Sequence, residues 1–214
     1  MPRNILVSMD TGSRVYGLAD PESDYDRITV LWPTRDQLFG MEKPVSVHKI
    51  WGVVDAKQID LRLYAASLNK HAVSMVETLF TPWSQVFDRD PAYEELRESR
   101  HMFLDAKFIR HCMGYIKSAL NGREKERMHA LRVGQYAREA SWGGPLLLPC
   151  EFSWAQALKE VKSGVRPVTL GDLYDLLEEL EELAGAAVER DTTSLLNQWL
   201  YQSLRWKWGT GNGA

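Results

Sequence analysis

The chain has only two cysteines, Cys112 and Cys150, with no C-x-x-C spacing between them. That excludes a disulfide framework or a thiolate metal cage and predicts a reducing, cytoplasmic setting with both thiols as packing residues. No run approaches the roughly 20 apolar residues that a membrane span needs. The opening Met-Pro-Arg-Asn-Ile-Leu-Val lacks the apolar core of a signal peptide, so no membrane attachment is expected. A formal net charge of −3 leaves no bulk positive field to announce a nucleic-acid binder. There is no Ser/His/Asp signature, no zinc spacing, no dinucleotide-binding glycine pattern and no internal repeat.

What is present is an ordinary mixture of residues, 44% hydrophobic and 26% charged over 214 positions, enough to bury a sizeable core. Residues 4–10 read as a strand running into Gly12-Ser13. Residues 24–32, rich in β-branched and aromatic side chains, read as a second strand. Residues 46–54 and 57–62 read as two more, in a hairpin. From Leu63 the period changes to helical, with a break near Asn69-Lys70-His71 and a stop at Pro82. Beyond residue 90 the pattern is helical throughout, with segments predicted from Pro91 and over 100–121, 124–140, 153–162, from a Thr169 cap, and over 191–207. Residues 209–214 read as a frayed end. The fold class expected is α+β, with a strand-rich unit over 1–90 and a helical unit over 91–214.

The chemistry is concentrated near the start. Gly12-Ser13 follows the apolar strand, and Asp24 and Asp26 follow at i, i+2. On a strand these two acids share a face a few ångströms apart, where they repel unless a cation lies between them. Glycine lets backbone approach phosphate oxygens, and the Ser13 hydroxyl and following amides donate to them. Arg14 adds charge nearby. A two-metal phosphoryl-transfer site needs a third acid. Asp60, inside the apolar strand Gln58-Ile59-Asp60-Leu61, is the choice, because a lone buried carboxylate there requires a partner or a metal. Asp55 is the rival, read as the turn before that strand. Asn69 and His71 lie in the helix break, where they either face a nucleotide or merely end the helix. The tryptophans of the tail and its approach (Trp154, Trp199, Trp206, Trp208) are more in keeping with core than with base stacking.

The string Gly-Ser-Arg-x-Tyr-Gly-Leu-Ala-x-Pro-x-Ser-Asp-Tyr-Asp resembles the DNA polymerase β-like nucleotidyltransferase superfamily, in a branch associated with RNA repair. The likeness is strong over 12–26 and looser to about 135. It takes in an acid near Glu77 and a Lys-x-x-x-His-x-x-Arg pattern at Lys125, His129 and Arg132. Asp10-Thr11 stands where that branch more often has Glu-Ser. The resemblance implies a mixed sheet with flanking helices, followed by a helical domain. It also implies transfer of a nucleoside monophosphate from an NTP, with Mg²⁺ or Mn²⁺ held by Asp24, Asp26 and Asp60. Gly12, Ser13, Arg14, Lys125, His129 and Arg132 would contact the nucleotide. Spacing puts Lys125, His129 and Arg132 on one helix face, which a solvated face explains as well. RNA, tRNA-like or damaged, is the acceptor implied. A protein hydroxyl, as in antitoxin-type AMPylation, or a silent nucleotide- or RNA-binding protein are the alternatives.

Overall fold

The computed structural model describes residues 4–40 and 43–209. Of the predicted frayed end, residues 210–214 lie outside the described residues. A five-stranded mixed sheet is built from β1 (Ile5–Thr11), β2 (Tyr25–Leu31), β3 (Ser46–Trp51), β4 (Val54–Asp60) and β5 (Val86–Arg89), in the order β3-β4-β2-β1-β5. β2 and β4 are parallel, and the other pairs are antiparallel. The predicted hairpin is β3–β4, but it closes at Gly52, at a positive φ of 59°, so Asp55-Ala56-Lys57, read as the turn, lie inside β4. β5 is an edge strand of four residues, too short to carry a visible alternation.

Helices interrupt and then follow the sheet. α1 (Gly12–Tyr16) is one turn at the end of β1. α2 (Arg35–Phe39) starts on a Thr34–Gln37 capping box. α3 (Leu61–Asn69) and α4 (Val73–Val76) flank the predicted break, where His71 adopts φ 55°. The helical half comprises α5 (Pro91–Glu98), α6 (Ala106–Ala119), α7 (Glu124–Ser141), α8 (Phe152–Lys162), α9 (Leu170–Ala186) and α10 (Thr192–Gly209). Thr169 does cap α9, in a box with Asp172. The segment predicted as one helix from residue 100 is a 3₁₀ turn, Arg100–Phe103, followed by α6. The break falls at Asp105, whose carboxylate accepts the Lys107 and Phe108 amides.

Strand alternation sorts the sheet into two faces. Val7, Met9, Ile28, Val30 and Ile59 point into a core that continues through Leu79, Phe108, Val133 and Leu180 to Trp199. One apolar cluster thus runs through residues of both the 1–90 and the 91–214 stretches. Trp199 is buried in it, its indole N–H donating to the Ala92 carbonyl at 2.8 Å, while Trp206 is exposed. Among the described residues, no helix is long and apolar enough to cross a membrane.

Candidate functional site

At the end of the sheet where β1 stops and β2 begins, a cleft of about 800 Å³ opens between the strands and α7. Its floor is the Gly12-Ser13 turn. Gly12 sits at φ 71°, and a Cβ there would come 1.9 Å from Asp26 Oδ2. Only glycine lets the turn approach that carboxylate so closely. The Ser13 amide donates to Asp26, so the turn and the acid are joined before any ligand arrives.

Asp26 lies in register opposite Asp55 on the parallel neighbour β4, so the two side chains share a sheet face. Both line the cleft, as does Asp24 just before β2. The Asp26 carboxyl is held above the ordinary carboxylate range. Burial is the largest cause, followed by the charges of Asp55 and Asp24, while Lys125 and the Ser13 amide pull the other way. The His48 ring contacts Asp55 from β3, and Lys57 lines the same wall.

Asp60, the sequence choice for third acid, is not at this site. It pairs with Leu31 at the far end of β4, five residues beyond Asp55, and that odd offset turns it to the opposite face. There it caps α3 by accepting the Arg62 amide at 2.7 Å, and it pairs with the Arg62 guanidinium at 2.7 Å. The partner that a buried carboxylate requires is an arginine two residues on.

Arg14 is likewise turned away from the cleft. Its guanidinium donates to the Ser23 and Asp24 carbonyls at 2.7 and 3.3 Å and lies 3.7 Å from the Tyr25 ring centre. His71 and Asn69 are also elsewhere. His71 Nε2 is 3.2 Å from Asp105, and Asn69 accepts from Thr193.

Lys125, His129 and Arg132 do converge on the cleft, but in three different states. Lys125 is exposed at the rim. The pKa of His129 is pulled down to about 4 by burial first, then by Arg132 and Lys125, which keeps the ring neutral. Its Nδ1 is buried with no hydrogen-bond partner among the described residues. Arg132 is buried and already committed, ion-paired with Glu77 and donating to the Tyr136 hydroxyl at 2.9 Å. Its guanidinium lies 3.8 Å from the Tyr16 ring centre, and Tyr16 itself donates to Glu77 at 2.8 Å. Burial and the Glu77 charge raise the Tyr16 phenol far above its ordinary range, so it stays a donor. This network ties α1, and with it the Gly12-Ser13 turn, to α7. Asp55, the rival acid in sequence, reads there as part of a turn, and His48 and Tyr16 were missed. A strand started at Val54 rather than Lys57 would have put Asp55 and Asp60 on opposite faces, and the β2–β4 register then puts Asp55 on the Asp26 face.

Among the described residues, no three His, Cys, Asp or Glu side chains close into a ready metal cage. The donor set nevertheless fits Mg²⁺ or Mn²⁺ brought in with a nucleotide. Such an ion characteristically takes one or two carboxylates, its remaining ligands being phosphate oxygens and water. Asp26 is an acid whose ionised form is disfavoured as it stands, and a cation between it and Asp55 would relieve that.

The model of the family described as RlaP, RNA repair pathway DNA polymerase beta family, matches residues 2–206. Among solved structures, the chain is similar to a nucleotidyltransferase-like protein from Exiguobacterium sibiricum 255-15. Identity is 12% and the TM-score 0.33, over 95% of this chain and 75% of that one, a likeness too remote to carry an argument. No curated protein matches the chain.

Proposed function

The chain belongs to the RNA repair pathway DNA polymerase beta family, and from that premise we propose that it is a metal-dependent nucleotidyltransferase acting on RNA. Its α+β fold, a mixed sheet with flanking helices, agrees with that membership. The proposed reaction moves a nucleoside monophosphate from an NTP to an acceptor hydroxyl. The acceptor oxygen bonds to the α-phosphorus, the bond to the pyrophosphate oxygen breaks, and the leaving pyrophosphate keeps that electron pair.

The observation that carries this reading is the register pairing of Asp26 with Asp55 in the cleft floored by Gly12-Ser13. In the proposal Asp26 and Asp55, with Asp24 at the mouth, hold Mg²⁺ or Mn²⁺, which neutralises charge on the triphosphate when bound. The Ser13 hydroxyl donates to phosphate oxygens from the floor, and Lys125 meets them from the rim. His129 lines the cleft as a neutral ring, without adding charge. Asp55, steadied by His48, receives the proton of the acceptor hydroxyl. Arg132 and Glu77 act from behind, holding Tyr16 and thus the turn in place. Catalysis is then positioning and charge complementarity, with no covalent protein intermediate.

Incubation of the purified chain with α-labelled NTPs, Mg²⁺ or Mn²⁺ and RNA acceptors tests it. Label entering RNA, and lost in Asp26→Asn and Asp55→Asn, is the expected result. Label entering protein alone would replace RNA with an AMPylation target, and no transfer with any acceptor would overturn the enzyme reading.

A further inference from the structure

The sheet face opposite the cleft exposes aromatic rings and cations together. Alternation puts Asp10, Tyr25, Arg27, Lys49 and Trp51 there. The register aligns Tyr25 with Val54 and Val54 with Trp51, so two rings stand in one row across three strands. Arg27, Ala56 and Lys49 form the next row. At the far edge the pairing of β1 with β5 slips between Ser8 and Met9, and Phe87 bulges out to meet Arg27.

Tyr25, Trp51 and Phe87 are 40%, 56% and 53% exposed, and each is accompanied by a cation. Arg14 lies 3.7 Å from the Tyr25 ring centre, Lys49 lies 5.6 Å from that of Trp51, and Arg27 lies 4.1 Å from that of Phe87. Asp10, 3.1 Å from Arg27, and Asp88, in register with Ser8 beside Phe87, are anions on the same face. Flat rings with neighbouring cations complement one kind of polymer, a strand whose bases stack and whose phosphates are negative. Tyr25 and Trp51 are two strand spacings apart, about 10 Å, which suits splayed nucleotides rather than a stacked duplex. Tyr25 also sits between Asp24 and Asp26, so a strand lying on this face reaches the cleft at the start of β2.

We infer that this face is the track for a single-stranded segment of the RNA acceptor, with Tyr25, Trp51 and Phe87 stacking bases and Arg27 and Lys49 meeting phosphates. The inference rests on the proposed RNA acceptor. The probe is a fluorescently labelled, mixed-sequence single-stranded oligoribonucleotide of about 12 nucleotides. Its anisotropy is read with the full chain across a salt series, and Mg·NTP affinity is measured in parallel by calorimetry. Trp51→Ala/Phe87→Ala is expected to lose about tenfold or more in RNA affinity while Mg·NTP affinity stays at the parent level. Lys49→Gln should lower the salt slope by about one. Trp51→Ala alone, at the exposed end of the hairpin, repeats the test should the double variant fold poorly. Parent-like RNA affinity in folded variants overturns the track and leaves the RNA acceptor standing. A parent that binds Mg·NTP but no RNA overturns both and turns the face over to a protein partner.

Discussion

Asp26 and Asp55 stand side by side on parallel neighbours β2 and β4, on the sheet face that lines the cleft. Asp60, on the same strand as Asp55, faces the other way and serves α3. One strand thus carries two acids on different faces with different partners, and they are separable by mutation.

Asp55→Asn should abolish label transfer with little loss of stability, since Asp55 is only half-buried. Asp60→Ala should do the reverse. It removes a helix cap, at a cost of about 1 kcal/mol, and leaves the Arg62 guanidinium without that partner. Urea unfolding and single-turnover transfer on both variants check this; an inactive but fully stable Asp60 variant would return Asp60 to the chemistry.

Gly12→Ala should lose Mg·NTP binding, because the added methyl meets the Asp26 carboxylate and φ 71° is strained for alanine. A stability loss of about 1–3 kcal/mol should accompany it. Calorimetric titration with Mg·ATP and thermal melts read the two effects separately, and wild-type binding would contradict the close approach.

Glu77→Ala leaves Arg132 buried and unpaired, so it should cost about 3–5 kcal/mol. Glu77→Gln/Arg132→Met should be less destabilised than Glu77→Ala, because no uncompensated charge remains inside. In that double variant transfer should still fall, because the glutamine oxygen accepts from Tyr16 but the Arg132 guanidinium no longer packs on the Tyr16 ring. A denaturation series gives the order of stabilities; equal losses in both would show that the ion pair is not what matters.

The pKa of His129 is depressed to about 4 from the usual 6.5. The native state therefore favours the neutral ring, and stability contributed above pH 6.5 is lost as pH falls toward 4, where the unfolded chain gains the proton first. His129→Gln should flatten that part of the acid limb. Melting temperatures of both proteins between pH 7 and 4 check it, and parallel curves would remove His129 as a cause.

Much of this was legible without coordinates. The Gly12-Ser13 turn, the nearness of Asp24 and Asp26, a β3–β4 hairpin and the Thr169 cap are local relations, although the hairpin turns at Gly52 and not at the expected Asp55-Ala56. Each is fixed by a glycine's freedom at positive φ, by the two-residue repeat of a strand, or by a side chain reaching its own helix. Family resemblance added Lys125, His129 and Arg132, and all three do reach the cleft.

Tertiary structure alone decided which acid joins Asp26, because that depends on the register between β2 and β4, strands more than 20 residues apart. It also decided what each charge is for. Asp60 met Arg62, Arg14 met backbone carbonyls, and Arg132 met Glu77 from 55 residues away. Sequence spacing shows where a charged group can point. Burial then sets how strongly it must be paired, and only the packed chain determines which partner is within reach.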